Sequence, residues 1–143
     1  MANSRFAMAT HIMTAIALKG DEVVSSTYLA TSLNTNPVVV RRLLSELQKA
    51  GLLATQAGRT GGAVLAKKPN AITLYDVYSA VNEEDLFAYN PNDPNATCSL
   101  SCEMKSVLEP IFRSASSALA MDLKKVRLSD VSDVLRKKCS KSG

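Results

Sequence analysis

The stretch "TNPVVVRRLLSELQKAG", residues 35–51, constrains the fold more than any other, because both ends of a helix are written into it. Asn36 is a residue type that caps helix N-termini, and Pro37 suits the first helical position, where no N–H is needed. Gly51 follows the last turn as a stop signal. At 100° per residue, Val40, Leu43, Leu44 and Leu47 fall on one face. Val38, Arg41, Arg42 and Ser45 fall on the other. The predicted element is an amphipathic helix with an apolar side for a core and an arginine-bearing side for something else.

What precedes and follows gives that helix a context. Residues 4–19 read as a helix on Phe6, Ala9, Met13, Ile16 and Ala17, closed by Gly20. Residues 27–34 read as a short second helix with Leu29, Ala30 and Leu33 inward and Ser26 as its N-cap. A short helix, a break around Thr35 and a second helix with open-faced arginines make a helix-turn-helix pattern. Next come "LLATQ" and "AVLA", two short strands joined by "AGRTGG". They predict a β-hairpin with a glycine-rich tip that carries Arg59 and Thr60, and Lys67 and Lys68 end its second arm. A hairpin directly after a recognition helix can serve as a wing. Its arginine can enter a narrow minor groove while the lysines meet phosphates.

The charge distribution agrees with a polyanion on one side. Residues 37–68 hold Arg41, Arg42, Lys49, Arg59, Lys67 and Lys68 against Glu46 alone. Residues 70–110 hold seven acids against Lys105. The net charge of +4 says less than this asymmetry.

Further along, Thr73 can cap "LYDVYSAV", with Leu74, Val77 and Val81 on one side. Residues 88–101 read as a loop from Asn90-Pro91 and Asp93-Pro94. A long helix is expected from about Cys102 to Lys125, where Pro110 should kink it or mark its start. Its stripe comprises Met104, Val107, Leu108, Ile111, Phe112, Ala115, Ala118 and Leu119, which needs a partner surface. Homodimerisation through residues 104–123 is the expected use. A last helix is expected over 129–138, capped by Ser129, with "CSKSG" as a frayed tail.

The residues "LATSLNTNPVVVRRLLSELQKAGLLATQAGRTGGAVLAKKPNAITLYDVYSAV" resemble the Rrf2 family of bacterial winged-helix transcription regulators. The closure at Leu47–Leu53, the wing "GRTGGAVLA" and the following "ITLYDVYSAV" carry the likeness, which runs from Met1 to about Leu135. The resemblance implies a homodimeric, DNA-binding regulator, often a repressor. The region beyond the wing would then sense a signal through an iron–sulfur cluster, thiols or no known ligand. The fold class expected is mainly α with a small β-hairpin wing. Its parts are a winged helix-turn-helix domain (1–82), a sensory or linker loop (83–101), and a dimerisation helix with a C-terminal helix (102–143).

Cys98 and Cys102, separated by three residues, and Cys139 are the candidate sensor. Cluster-binding members of the family place three cysteines here at wider spacing. A [2Fe–2S] cluster needs four ligands, so Cys98 and Cys102 would have to recruit Cys139, an acid or a residue of the other subunit. A thiol switch asks for less: if Ser99 or Ser101 caps the long helix, Cys102 lies in its first turn, near free N–H groups. Cluster, thiol switch and inert thiols all remain open at this point. His11, the single histidine, reads as an ordinary partly exposed side chain.

Other classes are poorly served. The chain has no C-x-x-C motif, no second histidine and no Walker-type loop, which argues against an enzyme. No apolar run reaches 18 residues, and the first residues lack a basic region followed by a long apolar block. The expectation is a cytoplasmic protein without a membrane partner, whose partner is double-stranded DNA carrying an inverted-repeat operator. The alternative is a winged-helix protein-interaction module in which Arg41, Arg42 and Arg59 are incidental.

Overall fold

The computed structural model describes residues 4–142. Its elements run α1 (Arg5–Leu18), α2 (Ser26–Leu33), α3 (Pro37–Lys49), β1 (Leu53–Gln56), β2 (Gly62–Leu65), a 3-10 turn (Pro69–Ala71), α4 (Leu74–Val81), α5 (Ser99–Lys124) and α6 (Leu128–Ser142). Among the described residues these form two compact units. One runs up to Asn82 and resumes at Leu123; the other is Glu83–Asp122.

The first unit is built around α1, which packs on α2, α3, α4, α6 and β2. Ala9, Ile12, Met13 and Ile16 are fully buried, as are Leu29, Val40, Leu47, Val77 and Leu128 from the surrounding elements. Thr14 is buried too, and its hydroxyl donates to the Thr10 carbonyl at 2.7 Å, so its polar atom is not stranded. α2 ends at Asn34, whose left-handed backbone (φ 53°) reverses the chain into α3. The Asn36 side chain accepts from the Val38 N–H at 2.9 Å, as its cap position predicts. Gly51 takes φ +79° just past the last turn of α3.

β1 and β2 pair antiparallel, with Leu53 opposite Leu65 and Gln56 opposite Gly62. A third short edge comes from ahead of α2. Val24 exchanges both backbone hydrogen bonds with Ala63, at 2.9 and 2.8 Å. α4 opens with a capping box, in which Thr73 Oγ1 accepts from the Asp76 N–H and Asp76 Oδ2 accepts from the Thr73 N–H.

Several boundaries differ from those read in the sequence. Ser25, not Ser26, caps α2: its Oγ accepts from the Tyr28 N–H, and Ser26 is already helical. α5 begins at Ser99 rather than Cys102 and runs unbroken through Pro110. Neither Ser99 nor Ser101 caps it. Ser99 is its first helical residue, and Ser101 Oγ accepts from the Asn95 N–H of the preceding loop. α6 begins at Leu128, one residue before the expected Ser129 cap. Asp130 there accepts from the Arg127 N–H at 2.9 Å. Cys139 to Ser142 continue α6 instead of fraying, and Gly143 lies outside the described residues.

The largest difference is long-range. Val126 accepts from the Leu74 N–H and Leu128 donates to Ile72, so the chain after α5 pairs with the segment before α4. Leu128 and Ser132 are then buried in the first unit. The last helix thus belongs with the winged domain by packing, not with the long helix that precedes it in sequence.

In the second unit, the single stripe expected on α5 divides into two. Leu108, Phe112, Ala115 and Leu119 are half-buried. Phe112 stacks on Phe87 at 4.7 Å and meets Tyr89 at 5.3 Å, so the loop before α5 covers this side. Leu100, Met104, Val107, Ile111 and Met121 stay exposed.

Candidate DNA-binding face and cysteine site

The caps of α3 fix where its faces point. Val40, Leu43, Leu44 and Leu47 are buried, while Val38, Arg41, Arg42 and Ser45 are exposed. Glu46, the one acid of this region, is withdrawn by an ion pair with Arg5. The outer face of α3 therefore presents cations without a competing carboxylate of its own.

The hairpin stands beside that face. Its tip turns at Gly58, with φ +102°, and Gly61 donates its N–H to the Gly58 carbonyl at 3.1 Å. Arg41 and Ser45 of α3, Arg59 of the tip and Ser25–Thr27 at the start of α2 line a common cleft of about 420 Å³. The remaining candidates sit elsewhere. Val38 and Arg42 share the outer face of α3 but not the cleft, and Thr60 is exposed on the tip. Lys67 and Lys68 line a separate hollow with Gly20 and Asp21.

Two further residues join the cleft that helical spacing alone did not select. Gln48 continues the Arg41–Ser45 row by three residues, and Thr55 of β1 donates its hydroxyl to Gln48 Oε1 at 3.0 Å. The row 41, 45, 48 follows the i, i+4, i+7 rule, which could have found Gln48. The bond to Thr55 crosses two elements and leaves no spacing signal.

The cysteines behave differently. Cys98, Cys102 and Cys139 form no disulfide; Cys98 is half-buried and the other two exposed. Cys98 stands just ahead of α5, where its carbonyl accepts the Cys102 N–H at 3.1 Å. Cys102 is thus one full turn along, with its N–H already engaged, rather than among the free N–H groups of a first turn. Cys102 Sγ lies 3.5 Å from the Asn95 carbonyl. Cys139 is on α6, in the other unit. Among the described residues no three His, Cys, Asp or Glu side chains gather as a metal site. Two local thiols supply half the ligands of a [2Fe–2S] cluster, so the described residues of a single chain do not complete one. His11 is exposed and hydrogen-bonds Ser32 at 2.8 Å.

A helix-turn-helix whose second helix turns arginines outward, flanked by a glycine-tipped hairpin, defines the winged helix-turn-helix class. The family described as "Iron-dependent Transcriptional regulator", Rrf2, matches residues 2–134. The chain belongs to the Rrf2 family of transcriptional regulators. It is 44% identical over 132 residues to the "Putative HTH-type transcriptional regulator YwnA" of Bacillus subtilis (strain 168), covering 92% of this chain and 96% of that one. A crystal structure of "a putative DNA binding protein" superposes with a TM-score of 0.72 at 38% identity, over 90% of this chain and 98% of that chain. CymR, the global cysteine regulator of B. subtilis, shares the fold at a TM-score of 0.69 and 23% identity, over 94% and 97% of the two chains. These relatives are regulators of transcription, not enzymes. Among the described residues no helix is long and apolar enough to cross a membrane.

Proposed function

We propose that this chain is a homodimeric repressor that binds an inverted-repeat operator through α3 and the hairpin, and that the thiols at the start of α5 control it. The observation that carries the DNA contact is the cleft shared by Arg41, Ser45 and Arg59. A helix face, a wing tip and the start of α2 meet there, which suits one DNA strand running between groove and wing. Arg41 and Arg42, with Val38 and Ser45 beside them, face base edges or phosphates of the major groove. Arg59 and Thr60 take the minor groove, and Lys67 and Lys68 take outer phosphates.

Arg41→Ala should cost about 1–3 kcal/mol and relax specificity at one base pair if it removes a bidentate guanine contact. Arg59→Ala should weaken binding most where the flank is A·T-rich and its minor groove narrow. Titration against operators with varied flanks checks both. Equal losses on every flank would remove the wing-tip role. The same titration over a salt series tests the protein-interaction alternative, because each phosphate neutralised adds about 0.9 to the log–log slope.

Dimerisation is supported by the exposed side of α5. Leu100, Met104, Val107, Ile111, Ser114, Ala118 and Met121 are spaced 4-3-4-3-4-3, the heptad seam of paired helices. Their counterpart is the same seam on a second copy.

Leu100 also links this seam to the thiols, since it lies between Cys98 and Cys102. The Cys98 carbonyl accepts the Cys102 N–H across one turn, a separation that in a regular helix corresponds to about 5–6 Å between Cβ atoms. A disulfide needs about 3.5–4.5 Å. Oxidation of the pair by peroxide, which is reduced to water as the S–S bond forms, would therefore deform the turn that carries Leu100. Operator affinity should fall about tenfold, or 1.4 kcal/mol, in oxidised parent protein. Cys98→Ser and Cys102→Ser proteins should not respond. Cys139→Ser should respond like the parent. Identical affinities in all states would make these cysteines packing residues.

A further inference from the structure

Beside the two thiols, the start of α5 and the loop before it border a half-open cavity of about 450 Å³, in the range of small-molecule sites. Tyr89, Leu100, Met104 and Leu108 give it apolar walls, and Cys98 and Cys102 both open onto it. Lys105 lines the same cavity and holds its ammonium 5.3 Å from the centre of the Tyr89 ring. Apolar surface, a sulfur nucleophile and a cation beside an aromatic ring thus occur in one hollow. Peroxide needs only the sulfur; the walls and the cation point to a larger guest.

We propose that this cavity binds a small apolar α,β-unsaturated carbonyl compound and that Cys98 adds to it. The inference rests on the reading of Cys98 and Cys102 as the sensor and gives that sensor a ligand class. Cys98 loses its proton to solvent, and its sulfur attacks the β-carbon. The S–C bond forms as the C=C π pair moves toward the carbonyl, giving an enolate. Lys105 offsets the charge that develops on that oxygen. Water then protonates the α-carbon, so the net change is addition of a thiol across a double bond, without oxidant or reductant. Cys98 is the nucleophile because it lines the cavity with its thiol, whereas Cys102 directs its S–H to the Asn95 carbonyl. Leu100 and Met104 belong to both the cavity wall and the exposed seam, so a guest in the cavity bears on the surface that would meet a second copy.

The test treats full-length reduced protein with 4-phenylbut-3-en-2-one or with acrylamide, and measures adducts on each cysteine by peptide mass spectrometry. Each rate is divided by that of the same reagent with glutathione. At Cys98 the normalised rate for the phenyl enone should exceed that for acrylamide by at least about tenfold, the gain of a positioned reactant. Cys139 should show no such preference. Lys105→Gln, an exposed position that keeps the fold, should slow the enone at Cys98 and leave Cys139 unchanged. Equal normalised rates at Cys98 and Cys139 would overturn the site, and so would a preference that survives unchanged in Lys105→Gln. Transfer of the preference to Cys102 in the parent protein would overturn the choice of nucleophile. Peroxide response in operator binding is a separate readout, so loss of the thiol switch and loss of the enone site are told apart.

Discussion

Replacing Ile111 by lysine should convert the protein to a monomer in sedimentation and weaken binding to a full inverted repeat by about 10²–10⁴-fold. That is the range of avidity gained when two half-site contacts are tied together. Ile111 is the fourth of the seven α5 seam positions and is 56% exposed in the single chain. Full burial of such a side chain against a second copy is worth about 1.5–3 kcal/mol. A lysine there forfeits that gain and faces its own counterpart across the seam, an ammonium opposite an ammonium. Ile111→Leu keeps the apolar volume and should keep the dimer. The winged unit does not contain Ile111, so its melting should change little. A dimeric Ile111→Lys protein with unchanged affinity would remove the seam from the account of operator binding.

Gly62→Ala should lower the melting temperature of the winged unit by about 10 °C. Gly62 has φ +158°, and a Cβ on it would run into the backbone of Val24. Val24 is the residue whose two hydrogen bonds with Ala63 tie the hairpin to the approach to α2. Neither backbone can yield without losing that pair. Overpacking of this kind costs about 1–3 kcal/mol, and each kcal/mol shifts a domain of this size by about 4–8 °C. Gly58→Ala provides the contrast. Its added methyl would meet open space, so only the left-handed backbone opposes it, at about 1–2 kcal/mol. Operator affinity should fall further in Gly62→Ala than in Gly58→Ala, because the former frees the wing from the edge at Val24. Identical melting of Gly62→Ala and the parent would show that the edge at Val24 does not hold the hairpin.

Much of this architecture was legible along the chain because its signals are local. Asn36, Pro37 and Gly51 mark α3 by their own backbone chemistry, and the buried set Val40, Leu43, Leu44 and Leu47 follows from helical spacing alone. Thr73 announces α4 in the same way. Non-local features were not legible. The pairing of residues 72–74 with 126–128 joins segments more than fifty residues apart. Neither side advertises it, because Thr73 reads as a cap and Arg127 as surface. The early start of α5 was hidden by "TCSLSC", whose serines and threonine read as a loop although the helix already passes through Ser99 and Ser101. In the candidate site, Arg41, Ser45 and Arg59 came from face and tip arguments. Gln48 and Thr55 required seeing α3 and β1 side by side. The cavity beside Cys98 depended on how the preceding loop lies along α5, which no spacing rule specifies.

The return of Leu128 into the winged unit has a consequence for how the protein is made. A chain still on the ribosome at residue 82 lacks the side chain that fills the space beside Ile72, and it cannot complete that unit until the whole of α5 has been synthesised. Any molecule with a finished winged unit has therefore already produced α5. Prematurely terminated products that stop before Leu128 would be left as unfinished domains, open to proteolysis.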